Sequence, residues 1–162
     1  MKILFLDVDG VLNCVRCQIK TPSGYKFVEE QFLNRLKRII VETGAKIVLS
    51  STWRHGFYDL KRGDIDTVDA KDYILLVNKL SEFGIEIYSH TPELEEYHRG
   101  SEIYAWLTNA EETIESFVIL DDDDDIYPME GKLVRTFLDE GLQDEHVILA
   151  IEILNGIEKD FG

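Results

Sequence analysis

Apolar residues fall into two rhythms along the chain. Short continuous runs alternate with longer stretches in which apolar positions recur every three or four residues. Ile3–Val8 is the first run, broken only by Asp7, and it reads as a strand buried on both faces. Residues 29–43 place Phe32, Leu33, Leu36, Ile39 and Ile40 at helical spacing, and Gly44 follows as a stop signal. Lys46–Leu49 reads as a second strand. Residues 72–83 carry Ile74, Leu75, Val77 and Leu80 as a second helical stripe, ended by Gly84. Ile85–Tyr88 reads as a third strand, Phe117–Leu120 as a fourth and Leu133–Phe137 as a fifth. Ser101 is the expected N-cap of a short helix bearing Ile103, Trp106 and Leu107, and Asp144 that of a last helix bearing Val147, Ile148, Ile151 and Leu154.

Strands that alternate with helices of this length imply βαβ units, hence an α/β fold with a five-stranded, mainly parallel sheet. No internal repeat or linker interrupts the pattern, so one domain over residues 1–162 is expected. Residues 54–71 are polar, contain glycine and lack a clear period, and read as an inserted loop. In open parallel sheets, ligands bind beyond the carboxyl ends of the strands, where strand order reverses. The residues there are Asp7 to Gly10, Ser50 to Thr52, Ser89-His90 and Asp121 to Asp125.

Composition narrows the function classes. The 162 residues include 17 Lys+Arg and 32 Asp+Glu, a formal net charge of −15, with 44% apolar residues. That is ample for one core, and disorder is disfavoured. A general nucleic-acid coat and docking on anionic lipid are disfavoured too, because both need a basic footprint. Only Ile3 to Leu6 follow Lys2 before Asp7, short of the roughly 7–15 apolar residues of a signal peptide core, and no run nears the roughly 18 of a spanning helix. The expectation is a cytoplasmic chain with no membrane partner. Cys14 and Cys17 form a lone C-x-x-C in a loop-like stretch, without the strand-to-helix setting of a redox motif or further ligands for zinc, and read as reduced thiols.

The chemistry concentrates in the aspartates. Asp7 sits inside an apolar run, where a carboxylate is costly unless paired, metal-bound or hydrogen-bonded. Asp9 follows at the strand's i+2 position on the same face, and Gly10 lets the chain turn and a ligand approach. Asp121 and Asp122 end another apolar strand. If the two strands are neighbours, three or four carboxylates converge and need a cation, and hard oxygen donors in that number favour Mg²⁺. A calcium loop of EF-hand type from Asp121 fails, because Ile126 stands where glycine is needed and Lys132 where the bidentate Glu belongs. Ser50 and Ser51 can donate hydroxyls to a phosphoryl oxygen, or cap the next turn. Arg54 and Arg99 are candidate phosphate cations. His90 alone among the histidines lies at a strand end, and Trp53 and Trp106 read as packing residues.

Leu6-Asp7-Val8-Asp9-Gly10-Val11 resembles the first motif, D-x-D-G-[VT], of the haloacid dehalogenase (HAD) superfamily of phosphohydrolases. Ser50 after Lys46–Leu49 resembles its second motif, and Asp121-Asp122 after Phe117–Leu120 its fourth. The third motif is one basic residue, matched best by Arg99, with Lys79 and Arg54 as competitors. LFLDVDGVLN, IVLSSTWR, RGSEIYAWL and FVILDDDDD together resemble the small HAD domain associated with Swiss-army-knife RNA repair proteins.

The resemblance implies a Rossmann-like three-layer sandwich. It implies Asp7 as nucleophile forming an aspartyl-phosphate, and Asp9 as general acid and then base. Mg²⁺ would be held by Asp7, the Asp9 carbonyl and Asp121 or Asp122, and Ser50 and Arg99 would hold the transferring oxygens. Gly10, Ser51 and Arg54 are the further substrate-binding candidates, and Asp125 a possible accessory acid. The second aspartate points to phosphoryl transfer, since dehalogenases usually lack it. Residues 11–28 leave room for a flap, and the stretch before Ser101 is too short for a cap domain. An open site suits bulky substrates such as a nucleic-acid end or a protein, and with the RNA-repair resemblance it favours a nucleotide or polynucleotide-end phosphate. A phosphoprotein or small-metabolite phosphatase and a catalytically idle HAD-fold binding module are the alternatives.

Overall fold

The computed structural model describes residues 1–157. Five strands form one sheet: β1 (Lys2–Leu6), β2 (Lys46–Leu49), β3 (Ile87–His90), β4 (Ser116–Asp121) and β5 (Leu133–Arg135). Their order is β3-β2-β1-β4-β5, and every pairing is parallel. Five helices connect or flank them: α1 (Glu30–Thr43), α2 (His55–Lys61), α3 (Val68–Glu82), α4 (Arg99–Asn109) and α5 (Asp144–Leu154).

The three layers follow from strand alternation. Leu4 and Leu6 of β1 point into one core with Phe32, Leu36, Leu76 and Val147, from α1, α3 and α5. Ile3 and Phe5 point the other way, against Ile103 and Trp106 of α4. The β1 residues Ile3 to Leu6 are 0% exposed, as a central strand covered on both faces must be. Strand order reverses between β1 and β4, whose register pairs Leu6 with Leu120 and sets Asp7 beside Asp121.

Several local expectations are corrected. Residues 54–71 are not a loop. A 3-10 turn over Thr52–Arg54 runs into α2, and the Thr67 hydroxyl caps α3 by accepting the Ala70 N–H at 3.1 Å. Trp53, Phe57 and Leu60 are spaced i, i+4, i+7 and pack on the main core, a stripe too short to stand out between the glycines. Helix α4 starts three residues early: His98, not Ser101, is its N-cap, and the Ser101 N–H donates to His98 Nδ1 at 3.1 Å. Gln143, not Asp144, caps α5. Strand β3 sits two residues later than its apolar run, with a register shift opposite Ile47 and Val48, so its end carries Ser89 and His90.

Within residues 11–28, where a flap is expected, an antiparallel bridge joins Lys20 and Lys26. Among the described residues no helix is long and apolar enough to cross a membrane.

Candidate active site

Asp7 is the first residue past β1, and its N–H donates to the Leu120 carbonyl at 3.0 Å. Asp121 ends β4, and Asp122 follows. Asp7 and Asp121 are buried, and one oxygen from each of Asp7, Asp121 and Asp122 lies within 4.8 Å of the others. Burial, and then the charge of Asp121, hold the Asp7 carboxyl well above the ordinary carboxylate range. Asp121 is pushed up to about 6, chiefly by burial, with the Asp123 N–H and Arg99 pulling the other way. The group is short of positive charge.

Arg99 forms an ion pair with it. Its Nε lies 3.6 Å from Asp121 Oδ2 and its Nη1 3.6 Å from Glu102 Oε1. Asp125 holds the start of this helix, accepting the Gly100 N–H on its carbonyl at 2.9 Å and the Arg99 N–H on its carboxylate at 3.5 Å. Lys79, the competing basic residue, is paired with Glu30 and Glu82 on the surface of α3, away from the carboxylates.

Ser50 continues β2 as Asp7 continues β1. Its N–H donates to the Leu6 carbonyl at 2.8 Å, so the two side chains are neighbours by register. The Ser50 hydroxyl is buried without a hydrogen-bond partner, one of two such side-chain atoms among the described residues. An unmet hydroxyl next to a buried carboxylate group is what a site for an absent ligand looks like. Ser51 is different: its hydroxyl accepts the Trp53 N–H at 3.3 Å and caps the following turn.

Arg54 is also engaged elsewhere. The residue is 3% exposed, and its guanidinium forms an ion pair with Glu102 through Nη2 and donates through Nη1 to the Ser51 carbonyl at 2.7 Å. Gly10 gives its N–H to Asn13 Oδ1 at 2.9 Å and receives the Thr136 hydroxyl on its carbonyl at 2.7 Å. At φ +80°, a Cβ on Gly10 would stand 2.6 Å from Asp122 Oδ2, so glycine is required for the acidic loop to close on the turn.

Asp9 is not in the three-carboxylate group. Strand geometry ends at Leu6, so the i, i+2 rule no longer holds, and the Asp9 side chain is held by two other residues. Asn13 donates to its Oδ1 at 2.9 Å and the Trp53 indole N–H to its Oδ2 at 3.2 Å. Asn13, Glu102 and Thr136 escaped the sequence reading. Asn13 left a signal, a polar residue ending the apolar pair Val11-Leu12 just after the glycine turn. Glu102 left one too, an acid three residues after Arg99 on a helix. Trp53 does more than pack, whereas Trp106 meets Phe5 edge-on and donates to Ser89 at 2.9 Å.

His90 lies against Phe57, with ring centroids 3.7 Å apart, and bonds the Tyr73 hydroxyl at 2.7 Å. Burial pushes it down to about 4. Cys14 and Cys17 are unbridged, with sulfurs 2.9 Å apart, and the Cys17 thiol donates to Glu29 at 2.8 Å. That supplies a third donor near the pair, which the sequence did not reveal.

Hard carboxylate oxygens from Asp7, Asp121 and Asp122 fit Mg²⁺, and an orphaned hydroxyl beside them fits an oxyanion. Comparison with known proteins bears on the same segments. The family described as HAD domain in Swiss Army Knife RNA repair proteins matches over residues 3–147, which include every residue of this site. No match is found among curated proteins or among solved structures.

Proposed function

The chain belongs to the family of HAD domains in Swiss Army Knife RNA repair proteins, and from that premise we propose a Mg²⁺-dependent phosphohydrolase that acts through an aspartyl-phosphate on a nucleotide or polynucleotide-end phosphate. One observation carries the reading: Asp7, Asp121 and Asp122 converge where strand order reverses, beside the unpartnered Ser50 hydroxyl.

An Asp7 oxygen attacks phosphorus as the bond to the leaving oxygen breaks, and the phosphoryl group passes to Asp7. Asp9 gives its proton to the leaving oxygen. The Asp9 carboxylate then takes a proton from the water that attacks the aspartyl-phosphate, and Asp7 is released with inorganic phosphate. Ser50 donates its free hydroxyl to a transferring oxygen, and Arg99, 3.6 Å from Asp121, offers charge to another. The ion would be held by Asp7, the Asp9 carbonyl, Asp121 and Asp122. When bound it supplies the positive charge that lets an anionic nucleophile meet an anionic phosphate.

The test is phosphate release from an aryl phosphate and from 3′- and 5′-phosphorylated oligonucleotides, with and without Mg²⁺. Turnover is expected only with the ion, and Asp7→Asn should abolish it. Full activity in Asp7→Asn would remove the nucleophile. No turnover of any of these substrates above that control would leave the idle binding module as the reading.

A further inference from the structure

A cavity of about 210 Å³ opens directly beside Asp9. Its wall comes from three parts of the fold: Tyr25 from the flap, Trp53 and His55 from the segment after β2, and Asp69 and Asp72 from α3. The flap wall is held in place. Thr21 donates its N–H to the Tyr25 carbonyl at 2.8 Å, and the Ser23 hydroxyl donates to Asp72 Oδ2 at 2.8 Å, tying the flap tip to α3. The indole is fixed from two sides, stacked on Phe27 at a centroid distance of 6.3 Å and bonded to Asp9 through its N–H.

We propose that this cavity is the leaving-group subsite and that it takes the uncharged base of a nucleoside bearing the phosphomonoester. The inference rests on the phosphohydrolase reading above, because it is Asp9's role toward the leaving oxygen that makes the adjoining volume the leaving group's place. The wall chemistry then selects the occupant. Its apolar surface is aromatic, Tyr25 and Trp53, which suits a flat ring. Its charges are the carboxylates of Asp9, Asp69 and Asp72, with no Lys or Arg among the described lining residues, so a second phosphate is repelled while ring N–H and amino groups find acceptors. Its volume is below the roughly 300–1,000 Å³ of sites for larger ligands, so it admits one base. A polynucleotide would place only its terminal nucleoside here, which agrees with a chain of net charge −15.

The experiment compares kcat/KM for adenosine 3′- and 5′-monophosphate, a 3′- and a 5′-phosphorylated oligonucleotide, ribose phosphate without a base, adenosine diphosphate and a phosphotyrosine peptide. The nucleoside monophosphate ends should exceed base-free ribose phosphate by about 5- to 150-fold, the range expected of one stacked base. Tyr25→Ala should collapse that ratio, and Tyr104→Ala, on the far helix α4, should keep it. Preference among the free nucleotides and the oligonucleotides identifies the source of the nucleoside. A separate binding readout uses Asp7→Asn, in which adenosine monophosphate should quench indole emission and ribose phosphate should not, and adding Trp53→Phe should remove the quench. A base-independent rate in the wild type overturns the inference while leaving the phosphohydrolase intact. So does adenosine diphosphate turned over as well as the monophosphate, or a preference for the phosphotyrosine peptide. Absence of any turnover removes the phosphohydrolase reading, and absence of a base-dependent quench removes the subsite.

Discussion

Asn13 holds Asp9: its side-chain N–H donates to Asp9 Oδ1 at 2.9 Å, while its own Oδ1 accepts the Gly10 N–H at 2.9 Å. One amide thus fixes both the turn after β1 and the carboxylate assigned to proton transfer. Asn13 is 2% exposed, so its amide is held by the fold while Asp9 itself is exposed. Asn13→Ala should lower kcat by about 10- to 100-fold, the cost of a misaligned proton donor, with KM nearly unchanged. Steady-state kinetics on an aryl phosphate separates the two constants. A loss confined to KM would place Asn13 in substrate binding instead.

Arg99 and Lys79 compete for one role, and their surroundings separate them. Arg99 reaches the carboxylate group, and Lys79 is taken by Glu30 and Glu82. Arg99→Ala should cut kcat by about 10²–10³-fold, as loss of one oxyanion donor does. Lys79→Ala should stay within about twofold, since exposed ion pairs contribute about 0–1 kcal/mol. The reverse ranking in a single-turnover assay would reassign the third motif.

What the sequence disclosed and what it hid divide along one physical line. Asp7 inside an apolar run, Ser50 ending a strand and Asp121-Asp122 ending another are local signals, because strand order alone brings strand ends together. Asp9 was legible as a residue but not in its direction, since the strand stops at Leu6 and the turn geometry decides. The setting of Arg54 was hidden for the opposite reason. Its partner Glu102 lies 48 residues away, and nothing near Arg54 announces a buried ion pair. Residues 54–71 hid a helix because its apolar stripe spans only two turns and meets the core through a long-range contact.

The raised carboxyls of Asp7 and Asp121 have a thermodynamic consequence. A folded-state value above the unfolded 3.8 means that the protonated form is favoured in the fold. That stability is fully present below 3.8 and is lost as pH rises, through about 6 for Asp121. A cation bound by the same oxygens competes with those protons and offsets the repulsion. The rise in Tm caused by millimolar Mg²⁺ should therefore grow between pH 4 and 7, and binding near pH 6 should release protons. Differential scanning fluorimetry across pH checks the first, and titration calorimetry in buffers of unlike ionisation enthalpy checks the second. Asp7→Asn should weaken both. A Mg²⁺ shift that is flat with pH would detach the ion from these carboxyls.

The Arg54–Glu102 pair allows stability and activity to be pulled apart. Both groups are nearly inaccessible, at 3% and 4% exposed, and burial lowers the affinity of the Arg54 guanidinium for its proton. Breaking such a pair leaves the buried Glu102 with only its longer contact to Arg99, at 3.6 Å, so Arg54→Met should cost up to about 3–5 kcal/mol in a urea melt. Replacing both, Arg54→Met with Glu102→Leu, removes both charges and should recover most of that loss. Activity should not recover with it. Glu102 also lies 3.6 Å from Arg99 Nη1, so the double variant leaves the Arg99 side chain without one of its two carboxylate neighbours. The expected pattern is a near-normal melt with a kcat still reduced by about tenfold or more, through a guanidinium free to leave its position beside Asp121. If Arg54→Met instead raised KM while the melt stayed at the wild-type midpoint, Arg54 would be a phosphate ligand after all, and the ion pair would contribute nothing to the fold.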